Sequence, residues 1–213
     1  MYEIMQIIFE IIILIFSIII HEISHGYMAE RLGDPTARLQ GRLTLNPLKH
    51  IDPFGSIFVP ILTILSSAGH FAFGWAKPVP FNPYNLKNRR SGELLIALAG
   101  PASNILIALI FGTIIRFGVV SAQSAFAMSF IQLAAYIVVI NIALAVFNLV
   151  PFPPLDGSKI LFAAFPQNQK WNEIRAYIER YSIFLVLILV IFLWQYLTPV
   201  IPWLFHVFTG ANL

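Results

Sequence analysis

Two histidines and a glutamate stand in the pattern H-E-x-x-H at His21, Glu22 and His25. On an α-helix, residues four apart are separated by about 40° around the axis and roughly 6 Å along it. Two imidazoles so placed can grip one metal ion from one face of the helix. Glu22, one step on, can poise a water there, take its proton and pass it to a leaving amine. On a soluble helix the same pattern is often only a solvated face. Here it closes an apolar run that begins near Ile4 and reads Ile-Ile-Ile-Leu-Ile-Phe-Ser-Ile-Ile-Ile over residues 11–20. Ionisable groups at the edge of a bilayer-length helix cost at least about 2.5 kcal/mol each near the membrane centre, and are rarely kept there without a task.

The rest of the chain has to hold that helix. Of 213 residues, 58% are hydrophobic and 11% charged, so the composition is that of a polytopic membrane protein. The length suits one membrane-embedded domain, 1–213. A net charge of +3 gives no sign of a nucleic-acid partner, and the absence of cysteine excludes disulfides and thiolate ligands. The N-terminal run has Glu3 and Glu10 but no Lys or Arg, and no small-residue cleavage site before His21; it is read as a retained helix, not a signal peptide.

Apolar stretches at 4–32, 92–118, 127–150 and 181–208 are the expected spans, the last broken or kinked by Pro199 and Pro202. Residues 54–75 are apolar too, but Pro60, Ser66, Ser67, Gly69 and Gly74 interrupt them, and Gly74-Trp75-Ala76-Lys77-Pro78-Val79-Pro80 must run extended. Loops 31–52, 77–90 and 159–180 are rich in Lys and Arg, whereas 119–126 has none. The positive-inside rule then puts the three basic loops in the cytoplasm. Segment 54–75 must enter and leave on that same side, as a re-entrant or hairpin segment of about 54–80. The fold class is therefore all-α: a bundle of four to six transmembrane helices with one such segment. The polar loop 36–52 leaves room for a short strand in a membrane-associated β-sheet.

A catalytic zinc site wants a third protein ligand. The position six residues after His25 is Arg31, so the extended zinc-protease pattern fails. His50, His70, His206, Asp34, Asp52 and Asp156 remain. Asp34 and Asp52 precede prolines in a polar loop and read as turn residues. Asp156 follows the cytoplasmic end of the 127–150 span behind a proline-rich turn, on the side where His21 and His25 lie, and is the best placed.

Three ordered motifs cover residues 21–157: His21-Glu22-x-x-His25, Gly100-Pro101-x-x-Asn104, and Asn148-x-x-Pro151-x-Pro153-x-x-Asp156-Gly157. Together they resemble the site-2 protease family of intramembrane zinc metalloproteases. The resemblance implies a Zn2+ ion with Asp156 as third ligand, Glu22 as the catalytic carboxylate, and Asn148 and Asn104 contacting substrate or the developing oxyanion. For both asparagines a helix–helix hydrogen bond is the alternative. It implies transmembrane protein substrates, cut within the bilayer; the basic loops turn the site toward the cytoplasmic side of a cell membrane. Members often carry a PDZ or CBS domain; this sequence shows neither, so a regulatory protein, if there is one, is a separate chain. Ser24, Asn104, Asn148 and Lys159 are candidates to line a water path. The rival readings are a metal or proton transporter and an inactive membrane chaperone or receptor on the same fold.

Overall fold

A computed structural model of the chain describes residues 2–66, 74–118, 124–165, 168–182, 184–185, 192 and 194–213. Helix α1 spans Tyr2–Arg31 and ends where Gly33 takes a positive φ of 110°. A single helical turn, α2, follows at Thr36–Leu39. After α3 (Val59–Ser66) come α4 (Arg89–Gly118) and α5 (Ala125–Asn148), the latter started by the Ser124 hydroxyl accepting from the Ala127 N–H. Also among the described residues are α6 (Asp156–Ala164), α7 (Gln169–Arg180), α8 (Trp194–Leu197) and α9 (Val200–Thr209).

Among the described residues three helices, α1, α4 and α5, are long and apolar enough to cross a membrane. Their large side chains point outward, as Ile8, Ile12, Phe16, Leu106 and Ile110 do. Their contacts with one another use small residues. Ala108 and Ala134 pack with Ile115, Val138, Ile142 and Phe205, and Gly112 lies where an added Cβ would stand 2.8 Å from Phe208. Lipid tails are as apolar as leucine, so small residues that let helices approach are what hold such a bundle together. Helix α4 is central, touching α1, α5, α6 and α9. Of the expected span 181–208, the described part is broken between α8 and α9 at Thr198–Pro199. The other residues of that run lie outside the described residues, as do Gly69 and His70.

Asp52 caps a π-helical turn at Pro53–Phe58, accepting from the Phe54 and Gly55 N–H groups. The chain has returned by Trp75. The Trp75 N–H donates to the Gly55 carbonyl, Ser56 Oγ donates to the Trp75 carbonyl, and the Lys77 N–H donates to the His50 carbonyl. Residues 74–80 are extended, as their prolines require, yet no strand occurs among the described residues. That corrects the expected β-sheet. Pro78 and Pro80 have no N–H to give to a ladder, and the 36–52 loop is taken up by α2 and by a 3-10 turn at Pro47–Lys49 capped by Asn46.

Candidate active site

His21 and His25 face the same side of α1, both buried, with ring centroids 4.7 Å apart. Their Nε2 atoms are 3.1 Å apart, and Asp156 Oδ2 lies 3.1 Å from one and 3.0 Å from the other. Each ring is held from behind. His25 Nδ1 is 2.6 Å from the Ile96 carbonyl oxygen, and His21 Nδ1 is 2.6 Å from Asn104 Oδ1. A carbonyl oxygen only accepts, so both Nδ1 atoms carry hydrogen and both Nε2 lone pairs point inward.

This donor set fits a divalent metal. Three lone-pair atoms converge with no hydrogen between them. Without a cation, the cluster must borrow a proton onto an imidazole to hold together. Tetrahedral zinc with bonds of about 2.0–2.1 Å sets its ligand atoms roughly 3.3 Å apart, close to the triangle seen here. The hydrogen bonds behind each ring are the outer partners such ligands ordinarily have. Among the described residues, His21, His25 and Asp156 are the one group of three side chains that could hold a metal ion.

Local sequence explains how the three meet. Helix α4 crosses α1 at Gly100, where an added Cβ would stand 2.5 Å from His25 Nε2 and 2.6 Å from His21 Nε2. Helix α6 starts against the end of α5, because Gly157 leaves room for the Leu149 carbonyl, 2.3 Å from where its Cβ would be. The turn over 151–155 thus carries Asp156 back into the bundle. Lys159 Nζ donates to Asp156 Oδ1 at 3.0 Å. Burial alone would raise the Asp156 carboxyl. In the metal-free cluster the imidazole that borrows a proton and the Lys159 ammonium outweigh it and hold the group well below the ordinary aspartate range.

Beside the ligands a cavity opens, lined by His21, Glu22, His25, Pro78, Val79, Asn148, Asp156 and Lys159, among others. Glu22 Oε2 accepts the Val79 N–H at 2.9 Å. Arg42 holds that segment from outside, donating to the Lys77 and Pro78 carbonyls at 2.8 and 3.3 Å.

With this geometry in place, the comparisons with known proteins can be read. The model of peptidase family M50 matches residues 9–123 and 112–190. The chain belongs to peptidase family M50. The Bacillus subtilis protein named "Putative zinc metalloprotease YwhC" is 38% identical over 180 residues, covering 83% of this chain and 78% of the relative. "Putative zinc metalloprotease Rip2" of Mycobacterium tuberculosis is 30% identical over 199 residues, covering 89% and 70%. Its namesake in Mycolicibacterium smegmatis is 31% identical over 141 residues, covering 66% and 51%. No solved structure gives a significant match. The resemblance to site-2 proteases drawn from the three motifs thus agrees with the M50 match.

In this M50 chain the other candidate residues fall in distinct places. Asn148 lines the cavity, its Nδ2 donating to the Leu144 carbonyl at 2.9 Å. Asn104 is fully buried behind His21 and does not line the cavity; it bridges helices, donating to Asn141 on α5. Of the candidates for a water path, Lys159 and Asn148 line the cavity, whereas Ser24 Oγ bonds back to the Ile20 carbonyl. His50 bonds the Thr44 carbonyl and His206 lies on α9. Asp52 caps a turn, as its position before a proline implies. Asp34 does more: it is fully buried and accepts from Thr36, Asn85 and the Asn82 N–H, tying the first loop to residues 82–85. Reading the sequence also missed Asn141, Arg42 and Val79. For Asn141 a signal existed, since an amide inside an apolar span must find a partner.

Proposed function

We propose that this chain is a zinc metalloendopeptidase that cuts peptide bonds within or beside the transmembrane segments of other membrane proteins. The observation that carries the reading is the convergence of His21 Nε2, His25 Nε2 and Asp156 Oδ2 beside the Glu22 carboxylate, on a helix long enough to span a bilayer. The chemistry that zinc supplies when held by those three residues is Lewis acidity toward water and toward the scissile carbonyl.

The chain's own groups do the rest. Glu22 takes a proton from the attacking water and returns it to the leaving amine, steadied meanwhile by the Val79 N–H. Asn148, at the cavity wall, offers its second N–H to substrate or to the developing oxyanion. Lys159 holds Asp156 in its ligating orientation. A substrate helix hides its own carbonyls, so it must unwind locally; the extended segment 74–80 borders the cavity where such an unwound stretch would lie.

The distribution of Lys and Arg supports a cytoplasmic position for the basic loops, and with them for the mouth of the site, in a protein of the cell membrane. The return of Trp75 to Gly55 supports a re-entrant path for the segment between them. Membership of a peptidase family weighs against a transporter, and an intact Glu22 weighs against an inactive chaperone. The proposal is tested by comparing membrane-protein fragments in cells carrying wild-type protein and Glu22→Gln. Fragments ending in or near transmembrane segments should depend on Glu22. An identical fragment population in both strains refutes the assignment.

A further inference from the structure

His21 is bonded to Asn104, but an asparagine amide can turn over and present N–H2 in place of oxygen. What decides its direction lies deeper in the bundle. Asn141 Nδ2 is 2.9 Å from the Ile137 carbonyl oxygen and 2.9 Å from Ser17 Oγ. The Ile137 carbonyl can only accept, so the Asn141 atom facing it is nitrogen and the other is oxygen. That oxygen, which can only accept, is 2.8 Å from the Asn104 amide nitrogen. The Ser17 carbonyl, also an obligate acceptor, is 3.4 Å from the same nitrogen. The remaining Asn104 atom is therefore oxygen, and it meets His21 Nδ1 at 2.6 Å. From a main-chain carbonyl to the ligand imidazole, each bond fixes the direction of the next.

We infer that Asn141, seated by Ser17 and the Ile137 carbonyl, is a positioning residue for the metal site. It locks Asn104 so that His21 carries its hydrogen on Nδ1 and keeps the Nε2 lone pair for a metal. The inference rests on His21 being a metal ligand. A bond serving only to join α4 and α5 would work with either amide direction; this series works with one. Asn104 and Asn141 are 0% exposed and Ser17 4%, so bulk water cannot replace a missing partner. With Asn141 gone, Asn104 is freer to turn its N–H2 toward His21 Nδ1. That favours the tautomer with hydrogen on Nε2, which cannot ligate.

The test uses the full chain in detergent micelles. Asn141→Leu should lower zinc affinity about 10–100-fold in competition with a chelator, the range found for outer partners of metal ligands. In the metal-free protein, at a pH high enough to leave the imidazoles neutral, 15N spectra of labelled histidine, with His21 identified by its loss in His21→Gln, should show hydrogen moving from Nδ1 to Nε2. Adding Asn104→Asp to Asn141→Leu should restore affinity, because a carboxylate has no donor face to turn. Wild-type affinity in Asn141→Leu overturns the inference. So does lost affinity with the Nδ1–H tautomer unchanged, which would mark a purely structural role. If the double variant does not fold, the tautomer in Asn141→Leu decides alone. If wild-type protein binds no zinc, the reading of the site fails, and the metal-free tautomer still decides what Asn141 does.

Discussion

Replacing Gly100 by alanine sets two parts of the structure against each other. Within α4, alanine is the better helix former by roughly 0.5–1 kcal/mol, so the helix itself should gain. At the site, the new methyl would stand 2.5 Å from His25 Nε2 and 2.6 Å from His21 Cε1 and Nε2, where ordinary contact begins at 3.4 Å. A ring at the end of a mobile side chain could swing away cheaply. These two cannot, since each is tethered at Nδ1 by a 2.6 Å bond, one to the Ile96 carbonyl and one to Asn104. Either the tethers break or the ligand atoms leave the triangle they form with Asp156. Outer-partner loss costs about 10–100-fold in metal affinity. A displacement approaching 1 Å costs about 100-fold in catalysis. Gly100→Ala should therefore lower zinc affinity by about 100-fold and peptidase activity at least as much, and should lower the thermal stability of the metal-free protein, because a broken buried tether costs about 1–3 kcal/mol and the helix regains only roughly 0.5–1 kcal/mol. Zinc content after chelator challenge and thermal melting by circular dichroism read the two effects separately. Wild-type zinc affinity in Gly100→Ala would show that the rings are free to move and that the fit of the site has been misjudged.

Asp156→Asn should lose zinc by more than an outer partner is worth, because it replaces a charged ligand by a neutral amide at a buried site; metal analysis that finds full occupancy refutes the ligand. Asp34→Asn should keep zinc but cost about 1–3 kcal/mol of stability, since its amide would turn a donor toward a donor it now accepts from; an unchanged melting temperature refutes that role. The same residue sets an acid limit. Burial pushes the Asp34 carboxyl up, but hydrogen bonds from Thr36, Asn85 and the Asn82 N–H outweigh it and hold the group below its ordinary 3.8. A depressed folded value means its stabilisation is complete above the ordinary value and lost as pH falls through the folded one. Melting temperature should thus drop more steeply below about pH 4 in wild-type protein than in Asp34→Asn, and parallel curves would contradict it. Lys49→Cys and Asn88→Cys should both react with impermeant thiol reagents from the cytoplasmic side only; labelling from opposite faces would make the segment between them a true span.

How much of this the sequence discloses depends on the range of each interaction. His21 and His25 are legible because helical periodicity alone puts them on one face. Asp156 lies 135 residues from His21, and only the order of motifs and the side of the membrane point to it. The long helices follow from unbroken apolar runs, and the extended course of 74–80 from its prolines. Asp34 is misread as a mere turn residue because only its bond to Thr36 is local; its other partners are 48 and 51 residues away. Asn141 sits among isoleucines and valines with no neighbouring motif to announce it, and its partners come from two other segments of chain. Asn104 stands within a recognisable motif, yet its burial behind His21 is a matter of how α4 crosses α1. The strand expected in the 36–52 loop fails because local bonds claim its backbone: a helical turn forms at Thr36–Leu39, and Asn46 caps a 3-10 turn at Pro47–Lys49.

The most direct test of the central claim joins metal and cleavage in one preparation. Wild-type protein and Glu22→Gln, reconstituted in liposomes with a helical transmembrane polypeptide, are assayed for zinc content and for cleavage products by mass spectrometry. The account predicts equal zinc in both, since His21, His25 and Asp156 are untouched. It predicts products cut within or next to the transmembrane segment from wild-type protein, and a rate at least about 100-fold lower from Glu22→Gln. Cleavage by Glu22→Gln at the wild-type rate, with zinc retained, would contradict it.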